Sequence, residues 1–219
     1  MRSILALLCA LLGLAVSQTT SSTVQRIDLA ERLATGKLRV VNRQVTRLPA
    51  RSDAVHLSAG GNVGLAWVDG TDFREGTIEV DVRGKDVYQE SFVGVAFHAK
   101  NDTTYESVYI RPFNFRATDP ARHHHAAQYM TVPEFDWPRL RERFPEEFEN
   151  EVNQTLSPSD WVPLRIVVRG PKVQVSVGQV ANLTLDVRKL GTLDRGLVGL
   201  WVGNTSDGDF ANLRITPAN

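Results

Sequence analysis

Beyond residue 50, apolar and polar residues alternate with a period of two through most of the chain, and that pattern leaves few folds open. Ile78, Val80 and Val82 alternate with Glu79, Asp81 and Arg83; Leu164, Ile166 and Val168 with Arg165 and Arg169; Val173, Val175 and Val177 with Lys172, Gln174 and Ser176. A repeat of two sends one set of side chains to each face of a strand. Gly170-Pro171, between the second and third runs, reads as a hairpin turn. Further strands fit 55–57, 64–68, 92–98, 105–115, 127–131, 183–187, 198–202 and 210–215. Roughly ten strands, each with an apolar face to hide, pack as two antiparallel sheets. The sequence therefore predicts an all-β jelly-roll sandwich.

One stretch breaks the alternation. Trp137, Leu140, Phe144 and Phe148 recur at helical spacing, but Pro145 would interrupt a single helix. Arg139, Arg141 and Arg143 precede Glu146, Glu147, Glu149 and Glu151, an order that suits a second helix opening at Pro145. A short helical insertion near 136–152 is thus predicted to decorate the sandwich.

At the start of the chain Arg2 precedes an apolar run from Ile4 to Val16, and Ala15-Val16-Ser17 offers small residues for cleavage. These are the marks of a signal peptide over 1–17, and the run is too short to span a bilayer. A secreted or periplasmic protein with no membrane span after leader removal is expected. Residues 18–54 read as an N-terminal lead-in, where Val24, Ile27 and Leu33 fit one face of a short helix and the segment equally fits a lead into a strand, and 55–219 as the sandwich domain. Cys9, the sole cysteine, would leave with the leader, which excludes disulfides, thiolate metal sites and a cysteine nucleophile. Asn101, Asn153, Asn182 and Asn204 head Asn-x-Ser/Thr motifs, which are glycosylation acceptors only in a eukaryotic secretory route.

The 25 basic residues balance the 25 acidic ones, so nucleic acid is not expected as a partner. No Gly-x-Ser-x-Gly elbow, phosphate loop or dinucleotide fingerprint occurs, and no cofactor is implied. The run His123, His124, His125 splays its side chains and reads as a solvated loop rather than a metal site. Asp207-Gly208-Asp209 fits a turn about as well as a calcium site. Glu79 and Asp81 read as an outward charge ladder, since Gly84 stands where a family 16 glycosidase carries its second glutamate.

Three strands share an unusual second face. Opposite Val93, Val95 and Phe97 lie Phe92, Gly94, Ala96 and His98; opposite Val108 and Ile110 lie Tyr105, Ser107, Tyr109 and Arg111. Opposite Val198, Leu200 and Val202 lie Gly199, Trp201 and Gly203. Glycine gaps beside flat rings and Arg, Tyr and His donors suit a sugar, whose C–H face stacks on a ring while planar groups collect its hydroxyls. The same rings and charges also fit plain packing and surface pairing.

The segment 91–116, with Phe92-Val93-Gly94-Val95-Ala96-Phe97-His98 and Tyr109-Ile110-Arg111-Pro112-Phe113-Asn114-Phe115-Arg116, resembles the 3-keto-disaccharide hydrolase domain family. Ala127-Gln128-Tyr129, Trp137 and the ending from Gly199 to Leu213 extend the likeness over roughly 55–216. The resemblance implies a concanavalin A-like jelly roll in an exported protein that acts on an oligosaccharide or glycoside, hydrolysing 3-keto-glycosides. A ketone at C3 acidifies the C2 proton, so a base can start elimination of the glycosidic oxygen before water adds. On that scheme His98 is the acid or base, Arg111 stabilises the enolate, and Tyr109 or Glu90 assists. Asn114, Arg116, Gln128, Tyr129 and Trp137, with Trp201, would hold the sugar. A lectin-like module with the same pocket and no chemistry, or a laminin G-like interaction domain with an open face, are the alternatives.

Overall fold

The structure is a computed structural model that describes residues 23–178 and 183–218. The expected signal peptide and Asn182 lie outside the described residues. The first third comprises β1 (Gln25–Ile27), α1 (Leu29–Ala34), β2 (Leu38–Val41), β3 (Val45–Arg47), β4 (Val55–Leu57), β5 (Gly64–Val68) and β6 (Gly76–Arg83). There follow β7 (Val93–Asn101), β8 (Thr104–Ile110), α2 (Pro120–His124), β9 (Ala127–Val132), α3 (Trp137–Arg143) and β10 (Glu149–Asn150). The chain closes with β11 (Val162–Arg169), β12 (Lys172–Val177), β13 (Leu185–Arg188), β14 (Leu197–Val202) and β15 (Gly208–Pro217).

The strands form two antiparallel sheets. One runs β13-β12-β11-β6-β15-β4-β3 with β1 also paired to β15; the other runs β10-β9-β8-β7-β14-β5-β2. Their inner faces make one continuous core. Val93, Val95, Phe97, Val108, Ile110, Val198, Leu200 and Val202 come from the second sheet, and Ile78, Val80, Val82, Leu164, Ile166, Val168, Val173 and Val175 from the first. Each such aliphatic side chain taken fully out of water contributes about 1.5–3 kcal/mol, which sets the strand register firmly.

The two outer faces differ. In the first sheet β6 alternates buried and half-buried residues, and the outward set is charged: Glu79 lies 3.7 Å from Arg165 and 3.9 Å from Arg214, and Asp81 lies 2.6 Å from Arg51. In the second sheet β5 and β14 are buried on almost both sides, as are the first seven residues of β7 and the last six of β8. Something therefore covers that outer face, and it proves to be a layer of rings and a cleft.

Two expectations change. Residues 25–47 do not lead into the sandwich but belong to it: β1 pairs with β15, β2 with β5 and β3 with β4. Their alternation is too short to show in sequence. The insertion holds one helix, not two. Asp136 caps α3 by accepting from the Arg139 amide, and the helix ends at Arg143 with Phe144 as its C-terminal cap, directly before Pro145. Beyond it Glu149 and Asn150 pair with Gln128 and Ala127 as an edge strand. A buried guanidinium cluster draws Glu149 there, and that long-range pairing outweighs its local helical preference.

Candidate functional site

Glycine shapes the outer face of the second sheet by seating rings. Gly94 lies in register between Trp201 of β14 and Tyr109 of β8. The two rings lean together over it and stack with centroids 4.6 Å apart and planes 27° apart. A Cβ at Gly94 would collide with the Val108 carbonyl and the Tyr109 backbone. One at Gly199 would come within 2.5 Å of the Trp67 ring, and one at Gly203 within 2.8 Å of Phe92 Cβ. The gaps expected to leave ligand space are thus filled by aromatics. A chain of rings results: Trp67 meets Tyr105, whose hydroxyl accepts from Trp201 Nε1 at 3.2 Å; Tyr109 meets Phe92, Phe92 meets Phe113, and Phe113 meets Tyr88.

Beside this layer lies a cleft of about 830 Å³. Its floor and walls include Phe92, Tyr105, Tyr109, Arg111, Phe113, Asn114, Met130 and Trp201, and its mouth includes Tyr88, Glu90, Arg122, Asp136, Trp137 and Asn204. Trp201 and Tyr109 are almost wholly covered, at 4% and 2% exposed, so they form the base of the site. The rings with free surface are Trp137, 48% exposed, and Tyr88, 57% exposed. Each carries a guanidinium over its ring: Arg141 lies 5.1 Å from the Trp137 centroid and Arg122 lies 4.5 Å from that of Tyr88.

The polar floor is built around Glu149. Arg141 binds both its oxygens at 2.7 Å, and Arg111 Nη1 donates to it at 2.9 Å. Burial raises the Glu149 carboxyl, but the Arg141 hydrogen bonds and the charges of both arginines outweigh it and hold the group below its ordinary value. Arg111 also donates to the His125 carbonyl at 2.7 Å, to the Tyr109 hydroxyl at 2.9 Å and to Gln128 Oε1. Tyr109 donates its own proton to Gln128 Oε1, and burial pushes its phenol up to about 12. His125 lines the cleft with Nε2 3.5 Å from Glu149. Burial lowers its pKa, and although Glu149 opposes that shift, the imidazole is neutral at neutral pH. Asn114, 4% exposed, donates weakly to the His125 carbonyl and leaves its buried Oδ1 without a partner among the described residues.

Of the residues predicted from sequence, Glu90, Tyr109, Arg111, Asn114, Trp137 and Trp201 line this one cleft. Gln128 lies a layer beneath, bonded to Tyr109 and Arg111. The other three are elsewhere. His98 has φ 52° at a bulge where the register of β7 slips against both β8 and β14. The slip ends the alternation and turns the ring inward, against Phe97 and Phe73. There Nε2 meets the Arg74 carbonyl at 2.7 Å, and Nδ1 lies 3.1 Å from both Glu106 and Lys189. Tyr129 joins the same interior cluster, donating to Glu106 at 2.9 Å. Arg116 ties down the loop at 154–156 through three carbonyls. His98 and Arg111 therefore lie on opposite faces of one sheet and cannot act on one ligand.

Sequence reasoning missed Tyr88, Arg122, His125, Arg141 and Glu149. Only the histidine run gave any signal, and it splits: His123 is buried against the Val152 carbonyl while His125 faces the cleft. Asp207 and Asp209 already have partners: Lys85 lies 2.8 Å from the first, and Arg83 and the His56 ring lie 2.6 and 2.7 Å from the second. Among the described residues no group of three His, Cys, Asp or Glu is placed to hold a metal ion, and no helix is long and apolar enough to cross a membrane. Chemically the cleft offers flat apolar surface at its mouth, guanidinium and amide groups at its floor, and one neutral imidazole.

No family model matches the chain, and no curated protein does. Solved structures do. A carbohydrate binding module, CBM66, from Bacillus subtilis superposes with a TM-score of 0.61 at 11% identity, over 82% of this chain and 96% of that one. A protein of unknown function with a galectin-like fold, also from Bacillus subtilis, gives 0.61 at 11% identity over 90% and 97%. A beta-glucanase from Bacillus licheniformis gives 0.57 at 12% identity over 92% and 100%. At such identities the likeness concerns architecture: this chain has the two-sheet jelly-roll fold of those proteins.

Proposed function

We propose that the protein binds a saccharide in the cleft on the outer face of the seven-stranded sheet. The observation that carries this reading is the pair of half-exposed rings, Trp137 and Tyr88, at the mouth of a cleft whose floor is lined by Arg111, Asn114 and the stacked Tyr109–Trp201 pair. A pyranose offers an apolar C–H face to such rings and hydroxyls to such a floor. A carbohydrate binding module and a glucanase share the fold, which agrees with the reading. Isothermal titration against a panel of oligosaccharides tests it. Micromolar to millimolar binding should weaken about tenfold in Trp137→Ala, the cost of losing roughly 1.4 kcal/mol of stacking. Binding that is unchanged in Trp137→Ala and Tyr88→Ala overturns it.

Hydrolysis of glycosides, including 3-keto-glycosides, is the second reading, and His125 favours it. It replaces His98 as the base, being neutral and facing the cleft. In the elimination scheme His125 removes the C2 proton, the C1–O bond breaks, the aglycone departs with a proton, and water adds to the enone. Arg111, its Nη donors spent on four acceptors, positions this floor rather than binding an enolate itself. Aglycone release from 3-keto-glycosides that is lost in His125→Gln supports catalysis; saccharide binding without turnover assigns the lectin-like role.

A further inference from the structure

The floor of the cleft holds more positive charge than its own partners neutralise. Arg111 and Arg141 share one carboxylate, Glu149. The Arg122 guanidinium, at the mouth, forms an ion pair with none of the described residues and donates only to the Phe113 carbonyl, at 3.3 Å. The other acids that line the cleft relieve none of them. Asp136 caps α3 and lies 4.0 Å from Arg139, and Glu90 forms no ion pair among the described residues. His125 is neutral and adds no compensation. Donors are likewise in surplus: Arg141 spends Nε and Nη2 on Glu149 while Nη1 bonds to none of the described residues.

Both spare guanidinium edges sit beside the two rings assigned to sugar stacking, Arg141 over Trp137 and Arg122 over Tyr88. A planar guanidinium stacked on a ring keeps its N–H edge free, and that edge matches a carboxylate. From this we propose that the saccharide taken by the cleft is acidic, its ring carrying a carboxylate as in a uronic acid. This rests on the saccharide reading and narrows it. The sugar ring lies against Trp137 or Tyr88, and its carboxylate meets the adjacent guanidinium. The unpartnered Asn114 Oδ1 accepts from a ring hydroxyl.

Matched ligands test it: a glucuronate-terminated oligosaccharide, its methyl ester, the neutral glucose counterpart and a sulfated counterpart, titrated calorimetrically at low and physiological salt. The acid should bind about tenfold tighter than its ester, a gap of about 1.4 kcal/mol that narrows with salt. In Arg122→Gln the ratio should fall, and in Arg122→Glu it should fall further; Arg122 is exposed, so both variants are expected to fold. Equal binding of acid and ester overturns the acidic assignment and leaves the saccharide reading standing. Preference for the sulfate over the carboxylate also overturns it. Binding of none of the four overturns both.

Discussion

Glu149→Gln removes the single counter-charge of two guanidiniums while changing almost no volume, so its effect isolates electrostatics from packing. Arg111 and Glu149 are each about 95% covered, with side chains 5% and 3% exposed. Breaking a buried pair from one side costs about 3–5 kcal/mol, because the remaining charge keeps its desolvation penalty. Arg141 is 33% exposed and can turn toward water, which discounts its share. The expected loss is therefore near the lower end, about 3 kcal/mol, or a fall of about 6–12 °C in Tm for a chain of this size. Urea denaturation measures it, and the double variant Glu149→Gln/Arg111→Met should recover at least half by removing the stranded charge. The pH dependence has a definite sign. A carboxyl held below its ordinary value stabilises the fold above the unfolded pKa, about 4.3, and the contribution is lost as pH falls through the lower folded value. The wild type should thus weaken more steeply than Glu149→Gln in that acid range. A single variant within about 0.5 kcal/mol of wild type, or a double variant no more stable than the single, would refute the reasoning.

Two further outcomes follow from the same geometry. Lys189→Met strands Glu106 in the core beside His98, so it should cost about 3–5 kcal/mol in chemical denaturation while leaving saccharide affinity unchanged, since that cluster lies on the far face of the sheet. Tyr109, raised to about 12, should keep the fold's alkaline stability intact below about pH 10, where an unfolded tyrosine begins to ionise, and lose it between about 10 and 12; Tyr109→Phe should flatten that limb of the stability profile.

The sandwich was legible because long strands buried on one side must alternate: β6, β11 and β12 declare themselves in this way. The face that carries the cleft was also legible, since Tyr109, Arg111 and Trp201 all fall on it. Single-residue events escaped notice. One left-handed residue at position 98 reverses the side on which a histidine lies, and nothing in Ala96-Phe97-His98 announces it. Glycine was read as vacancy where it seats a neighbour's ring, as Gly94 does for Tyr109 and Trp201. Glu149, Arg141 and His125 meet only through the fold, and their sequence neighbours point to a helix and a solvated loop instead.

A structure of the protein with a bound uronic-acid oligosaccharide tests the central claim most directly. The account predicts a sugar ring against Trp137 or Tyr88 with its hydroxyls turned toward Asn114 and the arginine floor. A sugar seated elsewhere, for instance over the charged outer face of the eight-stranded sheet, would contradict it.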